Sequence, residues 1–144
     1  MKHRINAYKI IIGLAFVIII LLSGCNTRSN ELNAILKSSV ATTQLTTGRE
    51  VSRSQQDKST TLGKPVYAKL ILEYEPVNNN TKEDVFNEIV AILEKDNWER
   101  EELSRPIPGF FKATLPQDNF SLVADVSIDA QRNTVIIRLE TIPR

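Results

Sequence analysis

The 144 residues carry 18 basic and 17 acidic side chains, one cysteine (Cys25) and one histidine (His3), and 42% of them are hydrophobic. A net charge of +1 leaves no domain-wide basic surface, so nucleic acid is excluded as a partner. One cysteine forms no internal disulfide, and a lone histidine at the start of the chain supplies neither a Cys/His metal site nor a His-dependent nucleophile, so no metal, no cofactor and no enzymatic activity are expected.

Lys2, Arg4 and Lys9 precede an apolar block from Ile10 to Leu22, and the small residues Ser23 and Gly24 lead to Cys25. A positive start, a short apolar core and a small-residue junction make a signal peptide over residues 1–24. The block is shorter than the roughly 20 residues a spanning helix requires. The junction Leu22-Ser23-Gly24-Cys25 resembles the lipobox of bacterial lipoproteins, a resemblance confined to residues 1–25. It implies peptidase recognition of Leu22, Ser23 and Gly24, cleavage before Cys25, and a diacylglyceryl (palmitate-type) thioether on the Cys25 sulfur. Its two acyl chains suffice for a stable anchor, where one chain alone binds only marginally. Asn26, rather than Asp, follows the cysteine. By the same resemblance the address is the periplasmic face of the outer membrane in a two-membrane organism, or the outer face of the cell membrane in a one-membrane organism. Removal of the leader's three cations leaves 15 basic against 17 acidic side chains, a net of −2.

From Asn26 to Lys64 the chain is rich in Ser, Thr, Gln and Asn and poor in large apolar residues. Such a composition buries too little surface to offset the entropy of ordering it. Residues 25–64 are therefore read as the lipidated cysteine and a flexible tether, with an r.m.s. span of roughly 30–37 Å that lets the domain stand clear of the bilayer. Leu32, Ile35 and Leu36 have helical spacing, so this piece could dock as one or two turns or remain a transient helix.

Residues 65–144 read as one small α+β domain, a two-layer arrangement of one amphipathic helix on an antiparallel sheet in the order β-α-β-β-β. Val66, Ala68, Leu70, Leu72 and Tyr74 alternate with Tyr67, Lys69, Ile71, Glu73 and Glu75, which is a strand with one buried face. Pro76 and the run Asn78-Asn79-Asn80 end it. Thr81 with Asp84 forms a capping-box variant, and Val85, Phe86, Ile89, Val90, Ile92 and Leu93 make the apolar stripe of a helix that stops near Asn97. Trp98–Leu103 is a weak strand candidate, and Phe110–Leu115 another short strand after the turn-rich stretch 104–109. Phe120, Leu122, Ala124, Val126 and Ile128 alternate in the next strand, and Val135, Ile137 and Leu139 in the last. Pairing Asp129 with Thr134 sets Ile128 against Val135, Val126 against Ile137, Ala124 against Leu139 and Asp125 against Arg138. A slip of one residue destroys every one of these matches.

The candidate functional surface is the sheet face that the helix leaves uncovered. It carries Tyr67, Ile71, Val123, Ile136 and Ile142 among Lys69, Asp125, Ser127, Arg138 and Glu140. Three outcomes are open: an apolar patch that contacts another envelope protein, a face covered by the Leu32–Leu36 segment, or a patch broken up by twist and charge. Trp98 fits the bottom of the core better than a carbohydrate platform. Phe110 packs into the sheet or tops a binding loop with Ile107. The carboxylate pairs Glu73/Glu75 and Asp125/Asp129 share strand faces but read as solvated, not as a glycosidase pair. The function expected is that of a membrane-anchored, non-catalytic accessory or protein-binding module. A peptidoglycan- or glycan-acting hydrolase and an exclusion lipoprotein against phage or toxin are the alternatives.

Overall fold

A computed structural model describes residues 28–58 and 67–144. The leader, the lipobox Leu22-Ser23-Gly24-Cys25, Asn26 and Val66 lie outside the described residues. The helices are α1 (Asn30–Lys37), α2 (Ser39–Thr42) and α3 (Lys82–Lys95). The strands are β1 (Gly48–Asp57), β2 (Ala68–Pro76), β3 (Glu99–Arg100), β4 (Phe110–Pro116), β5 (Phe120–Asp129) and β6 (Thr134–Pro143). All ladders are antiparallel, and the six strands lie in the order β1-β2-β6-β5-β4-β3. The fold is thus mixed α+β.

The part after residue 66 follows its sequence closely. In α3, the Thr81 hydroxyl accepts from Asp84 N at 3.2 Å while Asp84 Oδ2 accepts from Thr81 N at 2.7 Å. That reciprocal pair satisfies two donors the first turn cannot use itself. Asn97 ends the segment with φ 60°, the left-handed conformation that Asn tolerates. The β5–β6 hairpin has the register expected from its side chains, with Asp129 opposite Thr134, Ile128 opposite Val135 and Asp125 opposite Arg138. Asp129 Oδ1 accepts from the Gln131 and Arg132 N–H groups, and Asn133 takes φ 56°, so the turn chemistry supports the same register. Trp98 is buried in the core, whereas the strand expected at Trp98–Leu103 shortens to two residues.

The stretch expected to be a flexible tether differs. Residues 28–58 belong to the folded unit: α1 and α2 sit on the sheet, and β1 extends it by one strand, so the element order is α-α-β-β-α-β-β-β-β and not β-α-β-β-β. Ser29 caps α1 by accepting from Leu32 N at 3.0 Å, and Leu32 and Ile35 are fully buried against β2 and β6. Each such side chain contributes about 1.5–3 kcal/mol on burial, and Val40 and Leu45 join the same core. β1 is different in kind. Its residues Arg49–Asp57 are all exposed, so it is held by its backbone ladder to β2, with a bulge at Val51. A composition argument counts side-chain surface and is blind to a polar strand paired through its main chain. Gly48, where β1 begins, lies so close to α3 that a Cβ there would stand 3.0 Å from Val85 Cγ1.

Candidate functional site

The three described helices all lie on one face of the sheet. That face contributes Leu70, Leu72, Tyr74, Phe111, Ala113, Leu122, Ala124, Val126, Val135, Ile137 and Leu139 to one continuous core. The alternate residues of the same strands form the second face, which no described element covers. Cross-strand partners fix its rows. One runs Ser54, Ile71, Arg138, Asp125, Lys112; the next runs Gln56, Lys69, Glu140, Val123, Thr114; and another runs Ser52, Glu73, Ile136, Ser127, Phe110.

This face is a lattice of charges with apolar side chains set between them. Lys112 Nζ lies 2.8 Å from Glu101 Oε2, and the Thr114 hydroxyl donates to Glu101 Oε1 at 3.0 Å. The Tyr67 hydroxyl donates to Glu140 Oε2 at 3.1 Å. Burial first, and then that bond to a carboxylate, push the Tyr67 phenol above its ordinary value. Asp125 stands between Lys112 and Arg138 in its row, yet its Oδ1 is buried without a hydrogen-bond partner among the described residues. Burial raises its carboxyl pKa, Lys112 and Arg138 oppose that rise, and Glu140 and Glu101 add to it. Lys112 is pushed up chiefly by its hydrogen bond to Glu101, which is correspondingly held down.

The face brings together most of the residues expected on it, with one correction. Ile71 and Ile136 are half-buried on adjacent strands, Tyr67 is half-buried at the margin, and Ile142 is 47% exposed. Val123 is only 3% exposed, flanked across its ladders by Glu140 and Thr114, and so offers almost nothing to a partner. The Leu32–Leu36 segment does not cover this face, because α1 packs on the opposite side. Phe110 begins β4 on the open face, half-buried, while Phe111 turns into the core with Arg100 stacked 5.4 Å from its ring centre. Phe110, Ile107, Leu103 and Lys112 line a shallow hollow of about 400 Å³ at one edge of the sheet.

The carboxylates do not converge. Glu73 accepts from the Thr134 hydroxyl at 2.8 Å and lies 3.8 Å from Arg132, and Glu75 pairs with Arg49. Asp129 is committed to its turn. Among the described residues no group of three or more His, Cys, Asp or Glu side chains is placed to hold a metal, and no helix is long and apolar enough to cross a membrane.

One residue escaped the sequence reading. Glu88, which the helical pattern places simply outside the apolar stripe, accepts from the backbone N–H and the hydroxyl of both Thr46 and Thr47. It ties the N-terminal segment to α3. Burial pushes its carboxyl up, but the Thr47 and Thr46 hydrogen bonds together overcome this and hold it below its ordinary value. No sequence signal marks it, since its partners lie more than 40 residues away.

No protein-family model matches the sequence, no curated protein is significantly similar to it, and no solved structure matches its fold significantly.

Proposed function

We propose that the protein is a lipid-anchored envelope lipoprotein, attached through Cys25, whose uncovered sheet face docks another envelope protein without catalysis. The anchor rests on the signal-peptide pattern and the Leu22-Ser23-Gly24-Cys25 junction. The docking role rests on one observation: the three described helices occupy one side of the sheet, leaving Ile71 and Ile136 on the other, among charged side chains that can fix a partner's register. Apolar residues of this kind supply association energy, and the surrounding charges supply specificity and steering.

Two measurements test the reading. Cells grown with labelled palmitate should incorporate it into the wild type and not into Cys25→Ser. The double variant Ile71→Lys/Ile136→Lys should stay folded, because both side chains project away from the core, while a protein that co-purifies with the wild type is lost. Retention of every such partner by the double variant would discard the docking face.

A further inference from the structure

The folded unit begins close behind the cysteine, and this limits how far one end of it can stand from the anchor. We infer that one end of the sheet, where Asp57, Lys58, Phe120, Ile142 and Arg144 gather, rests against the lipid headgroup layer. The inference deepens the lipoprotein reading and depends on lipidation of Cys25.

Among the described residues, Ser29 is the first docked residue after the cysteine. Its hydroxyl caps α1, and its backbone N–H donates to Asp57 Oδ2 at 2.9 Å, so it is fixed in the fold at both groups. Four residue steps separate it from Cys25. A fully extended chain spans at most about 3.6 Å per residue, so Ser29 lies no more than roughly 14 Å from the anchoring sulfur's own residue. That length replaces the long tether expected from composition.

The register shows which end of the sheet this is. Asp57, at the end of β1, pairs with Ala68 at the start of β2. Ala68 N donates to the Thr141 hydroxyl at 2.9 Å, Thr141 pairs with Leu122, and Leu122 with Leu115. The same end therefore holds the β4–β5 turn at 117–119 and the last residues of β6. The hairpin turn at 130–133 and Gly109 lie at the opposite end. A ten-residue strand is about 33 Å long. A leash of roughly 14 Å keeps the near end at the bilayer, and only a sheet tipped onto its side would bring the far end there as well.

The chemistry of the near end suits a phosphate-bearing surface. Arg28, Lys58 and Arg144 are exposed there, and none forms an ion pair among the described residues. Their acidic company is Asp57, already bonded to Ser29 N, Glu31 in the first turn of α1, and Asp118. Ile142 adds an exposed apolar side chain at the same end. The far end then points away from the membrane, and the open sheet face stands to the side, reachable by a neighbour held at the same height.

The test uses the full-length lipidated protein in phosphatidylethanolamine–phosphatidylglycerol vesicles that contain a headgroup-attached nitroxide quencher. With Cys25 modified, Asn119→Cys and Gln131→Cys each provide a unique thiol for a fluorophore on an exposed turn, one at either end of the sheet. Quenching at position 119 should exceed that at position 131 several-fold. Insertion of a long Gly/Ser segment between Asn26 and Thr27 should bring the two close to equality. Equal quenching at both positions, on protein whose diacylglyceryl group is confirmed by mass, would overturn the inference alone. Absence of any lipid on Cys25 would overturn the lipoprotein reading and this inference with it.

Discussion

The two faces of the sheet are built by alternate residues of the same strands, yet their surroundings differ. Ile136 and Ile137 are chain neighbours of identical type. Ile137 is fully buried under the helices, whereas Ile136 lies half-buried among Glu73 and Ser127. Stability is concentrated on the first face, where apolar side chains pack against one another and the buried Thr141 hydroxyl is hydrogen-bonded to Ala68 N. The docking role we propose falls to the second, where each row mixes apolar and charged groups and no described element lies across it. An identical side chain can thus serve cohesion or contact, and its strand parity decides which.

The largest loss of stability is expected from Ile137→Ala. A large side chain removed from a sealed core costs about 2–5 kcal/mol, whereas Ile136→Ala should cost less than about 1 kcal/mol, a contrast that urea unfolding resolves. If the two variants lose similar stability, the open face is structural and the division proposed here is wrong. Ile35→Ala asks whether the N-terminal segment belongs to the covered face. It should cost about 2–4 kcal/mol and increase proteolysis near residues 37–46, because α1 would lose one of its two fully buried contacts.

Glu88→Gln has a smaller effect with a distinct pH signature. Its four donors in Thr46 and Thr47 prefer a carboxylate, so the loss should be about 1 kcal/mol at neutral pH, reduced by solvent because the group is only half-buried. The folded-state pKa lies below the ordinary 4.5, so this stabilisation is present above 4.5 and fades as pH falls through the folded value. The wild type and the variant should therefore converge in acid, as thermal melts across that range would show. The smallest stability change belongs to the double variant Ile71→Lys/Ile136→Lys. It should unfold within about 1 kcal/mol of the wild type while losing its binding, since surface substitutions rarely cost more than about 0.5 kcal/mol each.

Much of this division was legible in the sequence, and the remainder failed for identifiable reasons. Period-two alternation in 66–75, 120–129 and 134–140 assigned each residue to a face, and the β5–β6 register followed from apolar and charged pairs that satisfy only one alignment. The capping box at Thr81 and Asp84 located the start of α3. The fold of residues 28–58 was not legible because its side-chain signal is weak: β1 reads Gly-Arg-Glu-Val-Ser-Arg-Ser-Gln-Gln-Asp, has no apolar alternation, and depends on main-chain pairing with β2. Val123 was misplaced for a related reason. Parity set it on the open face correctly, but burial there depends on the neighbouring strands, which a single strand's pattern does not contain. Of the candidate surface, Tyr67, Ile71 and Ile136 were foreseeable; the tie from Glu88 to Thr46 and Thr47 was not.

The central claim is that the open face, and not the helical side, meets a neighbour at the membrane. Photo-crosslinkable residues placed at Ile71, at Ile136 and at the exposed Asn87 of α3 test it in living cells. The account predicts one discrete protein adduct from positions 71 and 136, none from position 87, and loss of the adduct when Cys25→Ser is introduced. The same adducts from all three positions, or none from the open face, would contradict it.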